Sequence, residues 1–378
     1  MELIFIGSIF LILFAYFGYP FSLYILALFS NKRVQRASFL LEVTLIITAY
    51  NEGKRIRNKL ENTLALEYPK EKLQIIVASD GSTDQTNEIV RNYHKNKIEL
   101  LEILDRKGKE NAQKEAVKQA KGDVIIFSDV ATMLDPDGVK QIISNFADPS
   151  IGCVSSEDRV LGKDGNPCGE GFYVRYEMWL RRLESKVNSL VGLSGSFFAA
   201  RREVCQDFSD ELQSDFRTVL NSIKLGFRGV SDPQAIGYYQ DVTDEKHEFD
   251  RKIRTVLRGL TVFFRHLEFL NIRKYEFFSY QYFCHKLLRW LVPVFLFIAF
   301  VSNVILAWKS LLFFILFIGQ LSFYCLAILG WKRRTLSSRT LVKVPMYFLT
   351  VNASIFVAWW RYLSGDRVVM WTPSERRE

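Results

Sequence analysis

The sequence predicts an α/β domain with a mostly parallel sheet, carried between apolar membrane-spanning segments. Three observations predict it. From Val43 onward, short apolar runs alternate with helical patterns. Two of those runs end in dense polar clusters, Thr48-Ala49-Tyr50-Asn51-Glu52 and Ser79-Asp80-Gly81-Ser82-Thr83-Asp84. Both ends of the 378-residue chain are nearly continuous Phe, Leu, Ile and Val.

The strand candidates are Val43–Thr48, Leu73–Ala78, Glu99–Leu104, Val124–Ser128 and Gly152–Ser155. Helical patterns lie between them, near Lys54–Leu66, Thr83–His94 and Lys109–Lys121. This alternation is the signature of βαβ units and a parallel sheet. Open sheets of that kind bind ligands at the carboxyl ends of their strands. The expectation at the second strand end is therefore specific. Gly81 allows a tight turn, Ser82 or Thr83 caps the next helix, and Asp80 is left pointing into the crevice.

The apolar segment Leu3–Phe29 carries no charge and is long enough to cross a bilayer. Lys32, Arg33 and Arg36 follow it, which places the α/β domain on the cytoplasmic side. Gly18 and Pro20 are expected to kink this helix. Further spans are expected at Trp290–Trp308 and Leu311–Gly330, while Leu341–Leu363, which contains Lys343, Pro345 and Asn352, could span, lie half-in or line a cavity. Before them, Ile253, Val256, Leu257, Leu260, Phe263, Phe264 and Leu267 fall at helical spacing, with five arginines and lysines on the remaining face. Such a helix is expected to lie in the membrane interface, apolar face down, with a helix packed on a protein core as the alternative. The chain thus divides into a transmembrane helix over 1–30, a catalytic domain over 37–248, interfacial helices over 249–288, transmembrane helices over 289–363 and a tail over 364–378.

The net charge of +9 flanks the apolar segments or follows the amphipathic helix, so it suits membrane lipids and a nucleotide diphosphate rather than nucleic acid. The five cysteines form no CxxC pair and suggest neither a disulfide framework nor a zinc site. A reduced, cytoplasm-facing domain fits them.

Four further clusters bear chemistry. Asp129 ends an apolar strand near the crevice, where a hard oxygen ligand could meet a divalent cation. Asp105-Arg106-Lys107-Gly108-Lys109 is a basic loop before a helix. Small residues in Val191–Arg202, Gly195 and Ser196 among them, suggest a strand or turn closely approached by a ligand. Asp215, at a helix start, is either a cap or a general base.

Taken in order, these motifs resemble the membrane-embedded inverting glycosyltransferases of family 2, whose catalytic domain has the GT-A (Rossmann-like) fold. Synthases of cellulose, chitin, hyaluronan and poly-N-acetylglucosamine belong to that group. The matching elements are Thr48 to Glu52, Asp80-Gly81-Ser82, Lys107-Gly108-Lys109, Ser128-Asp129, Gly195 with Arg201-Arg202, Ser214-Asp215 and the basic helix with Arg258. The resemblance implies that Thr48, Tyr50, Glu52 and Asp80 hold the donor, with Lys109 and Arg258 near its phosphates. It implies that Asp129 carries Mg²⁺ or Mn²⁺ and that Asp215 is the catalytic base. Trp179, Gly195 and Ser196 are acceptor-side candidates, with Phe197 and Phe198 as further aromatic candidates or plain packing.

Three departures stand out. Ala131 replaces the second acid of the DxD motif, and Ser214 replaces the Glu of TED. Around Arg258, the Gln and Trp of the processive synthases' Q-(Q/R)-x-x-R-W motif are missing. The expected activity is inverting transfer of a sugar from a nucleotide-diphosphate donor, by family habit a UDP-sugar, to a lipid-linked glycan. The alternative is a processive synthase that polymerises and extrudes its own chain. The expected location is a bacterial or archaeal plasma membrane, with room for an export partner protein. A membrane scaffold with a degenerate nucleotide-sensing domain would not need Asp80, Asp129 and Asp215 together.

Overall fold

The computed structural model describes residues 1–30, 32–161, 172–240, 245–337 and 339–368. The chain forms two compact units. One is built mainly from Leu23–Thr243 with Arg265–Phe278, the other from Met1–Ser22, Asp244–Phe264 and Ser279–Arg367.

The first unit holds an eight-stranded sheet: β1 (Val43–Ala49), β2 (Leu73–Asp80), β3 (Ile98–Ile103), β4 (Val124–Asp129), β5 (Met133–Leu134), β6 (Ile151–Leu161), β7 (Phe197–Arg201) and β8 (Arg228–Gln240). Their order is β3-β2-β1-β4-β7-β6-β8-β5. The β3-β2-β1-β4 half is wholly parallel. β7 runs antiparallel to both β4 and β6, and β5 antiparallel to β8. Every residue of β1 is buried. Each fully buried Leu or Ile contributes about 1.5–3 kcal/mol, so burial of Leu45, Ile46 and Ile47 explains why this strand is central.

The α1 (Glu2–Leu13) and α2 (Tyr19–Phe29) helices open the chain, and α3 (Ile56–Leu64), α4 (Thr86–Arg91) and α5 (Lys109–Gln119) connect the parallel strands. After β5 come α6 (Gly138–Ser144), α7 (Phe172–Val187) and α8 (Ser214–Lys224). The second unit carries α9 (Glu245–Arg265), α10 (Ile272–Tyr282), α11 (Arg289–Leu306), α12 (Leu311–Lys332), α13 (Arg334–Ser337) and α14 (Thr340–Leu363), with α10 spanning the boundary between the units.

The five expected strands all form. The segment Val191–Arg202, expected as a strand or turn, supplies β7, which lies inside the sheet between β4 and β6. Its Phe197 and Phe198 are fully buried, and Phe198 stacks on Phe127 at 4.7 Å. They are packing residues. The expected kink near Gly18 and Pro20 takes the form of a π-helical turn over Phe14–Gly18. Pro20 has no N–H to continue the α-helical ladder, and the wider turn absorbs the loss.

Among the described residues, four helical stretches are long and apolar enough to cross a membrane: Glu2–Phe29, Ile272–Leu306, Leu311–Lys332 and Thr340–Leu363. The second begins well before the expected Trp290, because α10 continues through a π-helical turn into α11. The apolar face of α9, expected to meet lipid, is covered by protein. Phe263 stacks on Tyr282 at 4.6 Å and meets Trp290 edge-on, while Phe264 stacks on Tyr362 at 5.3 Å. Gly259 gives Trp290 its place: a Cβ there would lie 2.9 Å from the indole.

Candidate active site

Three loops meet at the carboxyl ends of β1, β2 and β4, where the strand order changes direction. The first two are stitched together. The Asn51 N–H donates to Ser82 Oγ at 3.1 Å, and Asn51 Oδ1 accepts from the Thr83 N–H at 2.8 Å. The Glu52 N–H donates to Thr86 Oγ1 and the Gly53 N–H to Asp84 Oδ2, both at 2.8 Å. Asn51 sits at φ +50°, a left-handed conformation that Asn tolerates because its side chain bonds locally. Burial works against the charged form of Asp84, but hydrogen bonds from Thr86 and Gly53 prevail and hold its carboxyl below the usual range.

This stitching changes two expectations. The helix after β2 starts at Thr86, and Ser82 and Thr83 are bound across to Asn51 rather than capping it. Asp80 does not point free into the crevice. Its two oxygens accept from the backbone N–H groups of Lys107 and Gly108 at 2.9 and 2.8 Å, and it is buried. Asp80 therefore fixes the basic loop. Gly81, at φ +67°, leaves no room for a side chain, since a Cβ would lie 2.9 Å from the Arg106 nitrogen. The Arg106 guanidinium in turn lies 3.7 Å over the Tyr50 ring.

Glu52 is also committed. Arg55 binds its carboxylate through two nitrogens at 2.8 and 3.0 Å. Burial raises its pKa, and Arg55 offsets only part of that. Thr48 is different. Its hydroxyl is buried without a hydrogen-bond partner, and it pairs with Asp129 across β1 and β4.

Asp129 is half-buried at the end of β4. Lys109 Nζ binds its carboxylate and donates to the Gly195 carbonyl at 2.9 Å. The Asp129 N–H donates to the Ser196 carbonyl at 3.0 Å. On the other side of Gly195 stands Asp215. A Cβ on Gly195 would lie 2.8 Å from Asp215 Oδ2. That carboxylate accepts from the Phe216 N–H at 2.8 Å and from Gln213 at 3.1 Å. Lys109, Asp129, Gly195, Ser196 and Asp215 thus come together, although they are spread over more than a hundred residues of sequence.

Other residues had no signal in the sequence. Asp158 on β6 accepts from Ser194 Oγ at 2.5 Å and Ser196 Oγ at 2.7 Å, so it holds both neighbours of Gly195. Lys59 on α3 is fully buried and donates to Ser128 Oγ at 2.8 Å and to the Thr132 carbonyl. Burial lowers its pKa to about 7, against the opposing pull of Asp129. An i, i+3 helical pattern could have flagged a buried face of α3, but not its strand partner.

Some expected residues lie apart from this cluster. Trp179 is 42% exposed on α7, beside Tyr176. Arg201 donates to the carbonyls of Ile151, Phe146 and Asp148 and is structural. Arg258 belongs to α9 in the other unit, half-buried there. Cys153 and Cys205 are buried free thiols whose pKa values burial raises, that of Cys153 to about 12. They are inert. Cys168 lies outside the described residues.

The donor set fits a divalent cation only in one way. Among the described residues no group of three or more His, Cys, Asp or Glu side chains converges. One carboxylate, Asp129, beside the unpartnered Thr48 hydroxyl, suits a hard cation that takes its remaining oxygens from substrate phosphates and water.

Residues 44–208, which contain β1 to β7, match the profile of Glycosyl transferase family 2. By this match the segment is similar to the glycosyltransferase domains of family 2. Among curated proteins, the chain is 28% identical over 193 residues to the poly-β-1,6-N-acetyl-D-glucosamine synthase of Staphylococcus epidermidis, covering 50% of this chain and 45% of that one. It is 35% identical over 123 residues to the synthase of the same name from Staphylococcus aureus, covering 32% and 29%. The matched stretches span less than half of each of these relatives. In fold, the chain resembles a mannosyltransferase of Pyrobaculum calidifontis solved with GDP-Man and Mn²⁺. The TM-score is 0.75 at 20% identity, over 97% of this chain and 99% of the other. The sheet is that of a GT-A domain, and the likeness extends through the helices that follow it.

Proposed function

We propose that the protein transfers a sugar from a nucleotide-diphosphate donor to a lipid-linked glycan at a membrane, with inversion, in the synthesis of an exopolysaccharide or cell-surface glycan. The observation that carries this reading is the single residue, Gly195, that separates the Lys109–Asp129 pair from Asp215. A donor-phosphate pole and a carboxylate base are thereby held side by side.

Asp215 takes the proton from the acceptor hydroxyl. That oxygen attacks the anomeric carbon as the bond to the diphosphate oxygen breaks, so one displacement inverts the configuration. A divalent cation on Asp129 would neutralise the charge developing on the departing diphosphate. Lys109 shares that task through its ammonium. The loop pair 50–53 and 79–86 frames the nucleoside end, with Tyr50 and Arg106 stacked at its rim. Arg258 is assigned to the donor by family resemblance. The absence of a side chain on Gly195 leaves Asp215 approachable by the acceptor.

The missing Gln and Trp around Arg258 favour stepwise addition over polymerisation. The polysaccharide synthases among the relatives keep the processive reading in play. The family habit favours a UDP-sugar, whereas the fold neighbour was solved with GDP-Man, so both nucleotides belong in the test. Detergent-purified protein with Mn²⁺ or Mg²⁺ and a panel of nucleotide sugars, with and without polyprenyl-linked acceptors, decides the matter. A one-sugar shift of the lipid acceptor is the expected result. A high-mass ladder without added lipid supports the processive synthase instead.

A further inference from the structure

We infer that Lys59 is a positioning residue for the cation site, setting the orientation of Asp129 from beneath the sheet. The inference rests on the reading of Asp129 as the cation ligand. Lys59 is fully buried, and its hydrogen bonds go to the turn around Asp129 rather than to the Asp129 carboxylate itself. Its ammonium grips both ends of the turn that carries Asp129. Ser128 Oγ, just before Asp129, accepts at 2.8 Å, and the Thr132 carbonyl, which closes the turn, also accepts. The turn is closed by a bond from the Thr132 N–H to the Asp129 carbonyl at 3.1 Å.

Lys59 does not act alone on that segment. Asn62, three residues on along α3, donates to the Leu134 carbonyl and accepts from the Leu134 N–H, both at 2.9 Å. One face of α3 therefore clamps residues 128–134. The amino end of the same helix is tied to the donor-side loops, because the Arg55 and Ile56 N–H groups donate to the Glu52 carbonyl and the Glu52 N–H donates to Thr86. The helix is a rigid link between the loops that frame the nucleoside and the turn that would hold the cation.

Two physical arguments favour a functional role over packing. A buried ammonium is unfavourable even when hydrogen-bonded, and an apolar side chain of similar length would fill the space without that penalty. Further, Ala131 contributes no second carboxylate. With a single protein carboxylate, the cation's position depends on how firmly that one group is aimed. Residues behind a metal ligand exert that kind of control.

The test is nucleotide binding by the purified full-length protein, measured calorimetrically with UDP and with GDP, each with and without Mn²⁺. Asp129→Ala serves as the control. In Lys59→Met, the gain in affinity that Mn²⁺ confers should fall by about 10- to 100-fold, while metal-free affinity holds. Ser128→Ala, which removes one acceptor of the ammonium, should show a smaller loss of the same kind. Lys59→Met with the full Mn²⁺ gain overturns the inference. So does an equal loss of metal-free and metal-dependent affinity, which would mark Lys59 as a packing residue. If Lys59→Met does not fold, Ser128→Ala is judged by the same two criteria. A wild-type protein that gains nothing from Mn²⁺, and matches Asp129→Ala, removes the cation reading itself and the inference with it.

Discussion

Gly195 is where the site is tightest. Its carbonyl holds Lys109, and its Cα stands so close to Asp215 that a methyl group would sit 2.8 Å from a carboxylate oxygen. Gly195→Ala should displace Asp215 by a fraction of an ångström to an ångström. Misplacement on that scale lowers turnover by about 100-fold; donor KM should hold, and steady-state kinetics separate the two. Asp215→Asn should abolish transfer and leave nucleotide affinity intact, because the amide cannot take the acceptor's proton. Calorimetry alongside a transfer assay checks this, and joint loss of binding and transfer would remove Asp215 from the role of base. Asp80 behaves differently. Its oxygens hold two backbone N–H groups of the basic loop, so Asp80→Ala should weaken nucleotide binding through that loop, as a measured rise in Kd.

At the scale of elements, α3 and α9 each carry a feature that can be measured. Burial holds Lys59 at about 7, below the ordinary lysine value of 10.5. Between those two values the unfolded chain binds a proton that the folded protein does not. The penalty for burying the Lys59 ammonium is therefore full below about 7, where both states are protonated, and falls away as pH rises from about 7 towards 10.5. Thermal midpoints of the wild type and Lys59→Met, compared from pH 7 to 9, should converge as pH rises. Equal differences at every pH would contradict the assignment. In α9, Phe263 is fully buried between Tyr282 and Trp290. Phe263→Ala should destabilise the helical unit by about 3–5 kcal/mol, read as a lower melting midpoint in detergent. A helix lying freely in lipid would tolerate that change.

At the scale of the whole molecule, four long apolar helical stretches among the described residues accompany the α/β domain. The basic residues after α2 and between α12 and α14 are the ground on which an inward-facing domain is proposed. Cysteines introduced at Arg339 and at Lys309, in a protein with its native cysteines replaced, should react with an impermeant thiol reagent from opposite sides of sealed vesicles. Labelling of both from one side would invert or remove a span. The size of the product, a single sugar or a ladder, is a property of this scale too, since it depends on where the acceptor goes after each transfer.

The sequence alone determined the parallel half of the sheet, the apolar segments and the ordered motifs. These are local signals: periodicity, runs of branched residues and small polar clusters at strand ends. It also marked Asp129, Lys109, Gly195 and Asp215, because each sits in a short motif. Only the tertiary structure decided what those residues meet. The insertion of β7 between β4 and β6 brings Gly195 beside Asp129, and no spacing announces that pairing. The commitment of Asp80 to a loop depends on backbone groups that carry no residue code. The apolar face of α9 is equally legible whether lipid or protein covers it, since burial is non-directional. Lys59 and Asp158 belong to no motif, and their partners are distant in sequence. Hydrogen bonds of that kind arise only once the sheet has chosen its order.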